Sequence, residues 1–253
     1  MLKLPIIYYH SIKEPPEGIE SKSKSTFLEP RRFERQIRVL KWLGYKSLHL
    51  DQFMECFDTK ITPKTRSIVI TFDDGWRDNY TSALPVLRKY DMTATIFVIA
   101  GMIGKWKTLS GGETGNYIVN EEQIRELIRM GFDVQSHGMT HRRMTQLSDE
   151  EAMRELIESK RVLESITQKP VSYFCYPFGN FNIRIENLAR KAGYRAAFST
   201  IRGKIHNPDE AYCLKRIPVH HEKGLLRFLS SLYIKDYRRA QAKMNRLRGA
   251  GNS

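Results

Sequence analysis

Two adjacent carboxylates, Asp73 and Asp74, directly follow an apolar run and precede Gly75. The run, residues 68–72, predicts a buried strand, so both carboxylates fall where that strand ends and the chain turns. Because neighbouring strand residues point in opposite directions, one carboxylate can bind a metal ion while the other faces a reacting water. The simpler alternative is a structural turn, since Asp-Asp-Gly is common turn chemistry.

Two histidines, His137 and His141, follow a second predicted strand at residues 132–135. Histidines four residues apart in one turn can chelate a single ion. Position 138 is glycine, so the metalloprotease pattern with glutamate after the first histidine is absent and a general base must come from elsewhere. A lone histidine pair is more often surface or capping chemistry. Carboxylates and histidines together at the ends of separate strands favour a metal site.

Two further candidates follow predicted strands. In Tyr176-Pro177-Phe178-Gly179 the proline and glycine set a rigid turn that can aim backbone N–H groups into a cleft, or that simply forms a β-to-α loop. His10 follows the first predicted strand. A histidine there ordinarily packs or caps, but this one falls on the same predicted face as the other candidates.

These residues must be positioned by an alternation of strands and helices. Short β-rich runs predict strands at residues 5–9, 67–72, 94–100, 132–135, 171–176, 196–199 and 212–219. Helical spacing predicts helices at residues 30–43, 120–130 and 185–192, with the longest opening at Ser148, while residues 101–115 predict a long loop over one end of the sheet. The rhythm indicates an α/β fold with a parallel sheet, closed as a barrel or open and doubly wound. About seven strands suit a barrel, whose catalytic groups lie at the carboxyl ends of strands.

Composition limits the classes of partner and compartment. The 253 residues carry a formal net charge of +14, which favours anionic partners such as phosphate-bearing glycans, lipid head groups or nucleic acid. No helix-turn-helix, RRM or zinc-finger pattern appears, so nucleic acid is not expected. The three cysteines stand singly, which suits a reducing compartment. No signal peptide or membrane span is visible, which predicts a cytoplasmic protein, although a mature chain with its leader removed would look the same.

Three motifs in order resemble those of one family. Thr71-Phe72-Asp73-Asp74-Gly75, Ser136-His137-x-x-x-His141 and the Tyr176 to Gly179 turn resemble the polysaccharide deacetylases of the NodB-homology type, carbohydrate esterase family 4. The resemblance runs from about Pro5 to Val219. It implies a distorted (β/α) barrel over residues 1–222, followed by a C-terminal helix and basic tail over residues 223–253.

The resemblance also implies roles for individual residues. A divalent metal, most often zinc with cobalt, nickel or manganese as alternatives, would be held by Asp74, His137 and His141. Asp73 would be the general base. The backbone N–H of Phe178 would stabilise the oxyanion, in a turn that Tyr176 and Pro177 complete on the substrate side. The reaction implied is hydrolysis of an N-acetyl group, or alternatively an O-acetyl group, from the sugar of a glycan or glycolipid.

Two departures from the family pattern require substitutes. The third motif normally begins with an arginine that orients the base, and here that place is Cys175, so we predict that Arg216 on the last strand replaces it. The usual late catalytic histidine is only approximated by His221. In a subgroup that acts on exported poly-glucosamine, the barrel starts with a strand that ends in Tyr-His, as Tyr9-His10 does here, and that histidine serves as the acid. We therefore predict His10 rather than His221 as the general acid.

The sequence is also compatible with other functions. An inactive glycan-binding barrel would keep the fold, and a non-sugar amide (C–N) hydrolase would keep both the fold and the chemistry.

The C-terminal segment has apolar residues at helical spacing, namely Leu225, Phe228, Leu229 and Leu232. They precede a basic tail at residues 235–248, which is predicted as a solvated helix or frayed end. They form either a helix that closes the barrel or an interfacial segment. The second alternative suggests a lipid-linked saccharide handled at the anionic inner face of the membrane.

Overall fold

The strands of the molecule are short and mostly buried. The computed structural model describes residues 1–17, 24–108, 115–219, 224–233 and 237–249. Its strands, in chain order, are β1 (Leu2–Lys3), β2 (Ile6–Tyr9), β3 (Lys46–Ser47), β4 (Ser67–Phe72), β5 (Thr95–Val98), β6 (Trp106–Thr108), β7 (Gly115–Tyr117), β8 (Asp133–Ser136), β9 (Tyr173–Cys175), β10 (Ala196–Arg202), β11 (Ile205–His206) and β12 (Leu214–Pro218).

Helices connect most of these strands. They are α1 (Pro30–Trp42), α2 (Leu50–Thr59), α3 (Leu84–Lys89), α4 (Glu121–Arg129), α5 (Asp149–Thr167), α6 (Ile183–Lys191), α7 (Leu225–Tyr233) and α8 (Tyr237–Gly249). Capping residues explain two of the helix starts. Asn120 and Ser148 each accept a hydrogen bond from the third residue of the following helix, whose side chain bonds back, as the sequence predicts.

Seven parallel strands close into a barrel. Their order is β2, β12, β10, β9, β8, β5 and β4, and β4 pairs back onto β2 in register from Ile6–Val69 to Tyr9–Phe72. The short strand β3 adds to the outside of β4. The predicted barrel of about seven parallel strands is therefore confirmed.

The strands are apolar because both of their faces are covered. Every residue of β4 is buried. Val69 packs into a cluster with Phe97, Phe198 and Leu214, whereas its neighbours Ile68 and Ile70 belong to the larger cluster that includes the surrounding helices. Such two-sided burial is typical of a parallel sheet wrapped by helices.

Helix α2, which the sequence analysis did not predict, covers the amino ends of the strands. Asp51 at its start accepts a hydrogen bond from the hydroxyl of Tyr173, the first residue of β9. Asp58 forms an ion pair with Arg195, which precedes β10, at 2.7 Å. The amino end of the barrel is thus covered, which leaves the carboxyl ends for a site.

The segment predicted as a long loop over residues 101–115 contains part of a hairpin. Strands β6 and β7 pair antiparallel, with Trp106 opposite Tyr117 and their rings 5.2 Å apart. A Cβ at Gly115 would lie 2.3 Å from the carbonyl oxygen of Lys107, so only glycine allows this pairing. The loop prediction is wrong at these positions because three-residue strands are too short to produce an alternating pattern.

Residues 237–249 form a helix, α8, as one of the two predicted alternatives had it, but one face of this helix packs on the barrel instead of being solvated. Met244 is fully buried and its sulfur lies 3.3 Å from that of Cys213. Arg248 donates two hydrogen bonds to Glu186 of α6, at 2.8 and 2.9 Å. The predicted domain boundary at residue 222 lies outside the described residues. Within the described part of the chain, no helix has the length and hydropathy to cross a membrane.

Candidate active site

A pocket of about 300 Å³ opens at the carboxyl ends of the barrel strands. It collects side chains from the ends of β2, β4, β8, β9 and β10 and from the β6–β7 hairpin. Its lining includes His10, Asp73, Asp74, Lys107, His137, His141, Tyr176, Phe178 and Thr200. The predicted candidates from four separate strand ends therefore meet in one place.

Three of these residues present donor atoms to a common point. The Nε2 atoms of His137 and His141 lie 3.5 and 3.2 Å from Oδ1 of Asp74. The backbone of Asp74 and His141 is left-handed, with φ of 73° and 62°, which turns both side chains inward after their strands end. The carbonyl oxygen of Cys175 lies 2.8 Å from Nδ1 of His137. That bond places a proton on Nδ1, so in the neutral ring it is Nε2, facing Asp74, that carries the lone pair a metal would need.

This donor set fits a divalent cation. The ligand atoms of Asp74, His137 and His141 all lie within 4.8 Å of one another. Two imidazole nitrogens and one carboxylate are ligands that zinc accepts in catalytic sites, where a fourth position stays open. A second group, Asp73, His137 and Cys175, also has its potential ligand atoms within 4.8 Å of one another. There, however, Asp73 is already paired with an arginine.

Arg216 of β12 holds the carboxylate of Asp73. It donates from Nη1 and Nη2 to the two carboxylate oxygens, each at 2.7 Å. Its other N–H groups reach the Ser199 carbonyl at 3.0 Å, the Thr71 hydroxyl at 3.2 Å and the Cys175 sulfur at 3.0 Å. All five donors of the guanidinium are therefore satisfied in a fully buried position.

The two carboxylates stay ionised for different reasons. Burial acts to raise the pKa of Asp73, but the charge and hydrogen bonds of Arg216 outweigh it and hold that pKa below its usual value. Burial likewise acts to raise the pKa of Asp74. The ammonium of Lys107 and hydrogen bonds with the two histidines outweigh it and keep that pKa well below its usual value.

His10 reaches the pocket from the end of β2. Its carbonyl accepts a hydrogen bond from the Asn79 side chain at 2.7 Å, and its ring lies edge-on to Tyr8 at 5.7 Å. Burial lowers the pKa of His10, and the nearby charges of Asp73 and Asp74 only partly offset it. The competing candidate His221 lies outside the described residues, so the choice between the two histidines stays a prediction.

The turn after β9 forms another wall of the pocket. Phe178 has φ 59°, a left-handed conformation that is costly for a bulky residue and is typical of functional sites. Its exposed ring lies 4.5 Å from that of His141. Tyr176 lines the pocket, but its ring is buried against Phe181 and its hydroxyl donates to the Tyr212 carbonyl at 2.8 Å. Pro177 is buried and does not line the pocket, so it shapes the turn.

Comparison with known proteins assigns the chain to a family. A family model described as polysaccharide deacetylase matches residues 60–197, more than half of the chain. The chain belongs to the polysaccharide deacetylase family. The match spans the motifs from Asp73 to Phe178 but leaves His10 and Arg216 outside it.

Relatives of the deacetylase family match over most of the chain. YxkH of Bacillus subtilis (strain 168), which carries the name of a polysaccharide deacetylase, is 30% identical over 86% of this chain and 71% of its own. A poly-β-1,6-N-acetyl-D-glucosamine N-deacetylase of Staphylococcus aureus (strain MRSA252) is 26% identical over 77% of this chain and 68% of its own. The structure of the Streptococcus pyogenes deacetylase PplD, in complex with acetate, superposes with a TM-score of 0.80 at 25% identity, covering 91% of this chain and 98% of that one.

Two residues that the sequence analysis missed contact the candidate site or the segments around it. Lys107 of the hairpin places Nζ 3.2 Å from Oδ2 of Asp74. Asp78 accepts hydrogen bonds from the Ser11 hydroxyl at 2.6 Å, the Ile12 N–H at 2.8 Å and the Asn116 side chain at 2.7 Å. Asp78 follows Asp73 by five residues. This closeness to the Asp73-Asp74 motif is the one feature of the sequence that could have indicated its role.

Proposed function

We propose that the chain hydrolyses N-acetyl groups from the sugars of a glycan, with Asp73 as general base. The observation that carries this proposal is the pairing of Asp73 with Arg216, directly beside a cluster of one carboxylate and two histidines in an open pocket. An ionised carboxylate fixed in one orientation, next to a candidate metal site, is the arrangement that hydrolysis of an amide requires.

Asp74, His137 and His141 would hold the metal, which we propose is zinc. When bound, such a cation lowers the pKa of a water molecule towards about 7 and polarises a carbonyl group. Asp73 accepts the proton of the attacking water, since Arg216 keeps the carboxylate anionic and pointed into the pocket. Arg216 cannot take that proton itself because its guanidinium stays protonated.

The remaining protein groups act on the two ends of the scissile amide. The backbone N–H of Phe178, in the strained turn, would donate to the oxyanion as the tetrahedral intermediate forms. His10, in its protonated form, would deliver a proton to the departing sugar nitrogen. One water is consumed, and the products are acetate and a free amino sugar.

The relatives support a glycan as the substrate class. The Staphylococcus aureus relative is named as an N-deacetylase of poly-β-1,6-N-acetyl-D-glucosamine, and the Streptococcus pyogenes deacetylase was solved with acetate, the product expected here. We propose an N-acetylated polysaccharide, or a lipid-linked saccharide, as the substrate. An O-acetyl ester is the alternative, because the same groups would hydrolyse it.

The test is acetate release by protein stripped with a chelator and then reloaded with zinc, cobalt, nickel or manganese. The substrates are N-acetylglucosamine oligomers and O-acetylated sugars. We expect metal-restored release that Asp73→Asn abolishes while its metal content is retained. Asp91→Asn, at a carboxylate that is 98% exposed, is the matched control. Bound metal without release from any sugar would instead favour the non-sugar amide hydrolase.

A further inference from the structure

Cationic side chains flank the pocket. Lys107 lies 4.7 Å above the ring of Trp76 and contacts Asp74. Arg143 lies 4.5 Å above the ring of Phe178, which lines the pocket and is half exposed. Both cations are held in place by aromatic rings.

The two cations stand at the ends of one continuous series of contacts. Lys107 contacts Asp74, Asp74 contacts His141, and the ring of His141 contacts Phe178, over which Arg143 lies. The candidate metal ligands therefore lie between two positive charges. A glycan chain that extends from those ligands past Phe178 would come within reach of Arg143.

A third cation, Arg77 of the segment after β4, and two exposed aromatic rings of the hairpin lie on the hairpin face opposite Lys107. Arg77 lies 4.8 Å above the ring of Tyr117, which contacts Trp106. Trp106 and Tyr117 are 47% and 41% exposed, large values for aromatic side chains. Neither Arg77 nor Arg143 forms an ion pair with any residue that the structure describes. Their charges are thus available to a ligand.

We propose that the glycan substrate carries anionic groups, phosphate or carboxylate, close to the acetamido sugar that is cleaved. This inference rests on the proposed function and specifies its substrate. Exposed rings offer flat apolar faces to sugars, and unpaired arginines bind phosphate or carboxylate. The formal net charge of +14 attracts the same class of polymer over a longer range.

The charge of the product supports the same assignment. Deacetylation converts a neutral amide into an amine, which becomes an ammonium ion when it takes up a proton. Cations beside the pocket repel that group, so they weaken product binding while they strengthen binding of the anionic substrate. A neutral polymer would gain only neutral hydrogen bonds from Arg77 and Arg143, which are weaker than charge-assisted ones.

The test compares kcat/KM for three tetrasaccharides: neutral N-acetylglucosamine tetramer, the same tetramer phosphorylated on its primary hydroxyls, and an alternating glucuronate and N-acetylglucosamine tetramer. We expect a higher kcat/KM for one or both anionic substrates than for the neutral one. A preference for only the phosphorylated or only the glucuronate substrate would tell phosphate recognition from carboxylate recognition. Arg77→Gln and Arg143→Gln should each lower the ratio of anionic to neutral kcat/KM by about two- to five-fold, the range for exposed ion pairs. Arg161→Gln, an exposed arginine on α5, should leave that ratio as in the wild type.

Each outcome decides the proposal. Turnover of the neutral tetramer without preference for either anionic one would overturn it and leave the proposed function standing. A preference that the double variant Arg77→Gln, Arg143→Gln retains in full would also overturn it. Failure to release acetate from all three, with metal bound, would overturn the proposed function and this inference together.

Discussion

Arg216 reaches Asp73 from a strand that lies 143 residues further along the chain. Cys175 stands where the family resemblance places an arginine, and its sulfur accepts a hydrogen bond from Arg216. A second arginine at position 175 would put a like charge against the buried guanidinium, which is costly. Cys175 and Arg216 therefore act together: the arginine on β12 orients the carboxylate of Asp73, and the uncharged cysteine leaves room for it.

Two substitutions of Arg216 should distinguish the effect of its positive charge from the effect of its paired hydrogen bonds to Asp73. Arg216→Lys keeps a positive charge but loses the two parallel bonds to Asp73, so we expect kcat to fall about 100-fold with metal content unchanged. Arg216→Ala leaves a buried carboxylate unpaired and should cost about 3–5 kcal/mol in the free energy of unfolding. Acetate release, metal analysis and urea unfolding measure these effects. Arg195→Lys, at a partly exposed ion pair, is the control; an equal loss there would refute the assignment.

The general acid can be identified by two alanine variants. We expect His10→Ala to lose turnover while retaining metal, because the His10 ring lines the pocket without belonging to the candidate ligand set. His221→Ala should retain turnover. The reverse pattern would transfer the role to His221.

Much of the site could be predicted from residue types at strand ends. Asp73, Asp74, His137 and His141 follow apolar runs, and the fold brings such ends together. Lys107 could not be predicted in this way, since its segment has no periodicity and it reaches Asp74 only through a hairpin closed by Gly115. When a side chain reaches a site from a short, irregular segment that is distant in the chain, the sequence around it contains no pattern that predicts the contact.

At the scale of elements, Asp78 links three parts of the site. It accepts bonds from the loop after β2, through Ser11 and Ile12, and from the hairpin, through Asn116. Asp78→Ala would leave these donors without a partner, so we expect a loss of about 2–4 kcal/mol in the free energy of unfolding together with lower kcat. Asn116→Ala removes only the hairpin bond and should cost less. Equal effects of the two variants would contradict a linking role.

His206 of β11 makes stability depend on pH. Burial lowers its pKa to about 3, and the nearby charge of Lys215 adds to this, while a hydrogen bond with the Leu4 carbonyl opposes it. The folded state keeps His206 neutral while the unfolded chain binds a proton below about pH 6.5, so its stabilising contribution is complete above that pH and is lost towards pH 3. Between pH 6.5 and 5 we expect wild type to lose about 2 kcal/mol more than His206→Gln in urea unfolding. Parallel pH curves would contradict this.

The barrel strands could be predicted because each is a compact apolar run bounded by turn residues. Strand β4 occupies residues 67–72, as predicted, and Asn120 and Ser148 begin their helices as predicted. Helix α2 was missed although its buried residues, among them Phe53 and Phe57, have helical spacing. It is the second helix in the connection between the neighbouring barrel strands β2 and β4, where the alternation of strands and helices requires only one.

At the scale of the whole molecule, the C-terminal helices turn most of their apolar residues inward. Phe228 and Leu232 of α7 are buried, and Leu225 and Leu229 pack against the same cluster. Leu226 is exposed. This packing supports the interpretation that the helix closes the barrel, and it leaves little apolar surface on α7 for insertion into a lipid interface.

Contact with the inner membrane face therefore stays a prediction that rests on charge. A net charge of +14 should bring the protein to anionic liposomes at low salt, and binding without apolar insertion should disappear as screening increases. We expect sedimentation with anionic vesicles at about 0.05 M salt, release at about 0.5 M and no binding to neutral vesicles. Leu226→Asp should change this little. Binding that resists salt and is lost in Leu226→Asp would show that α7 inserts, and absence of binding at low salt would remove the case for a lipid-linked substrate.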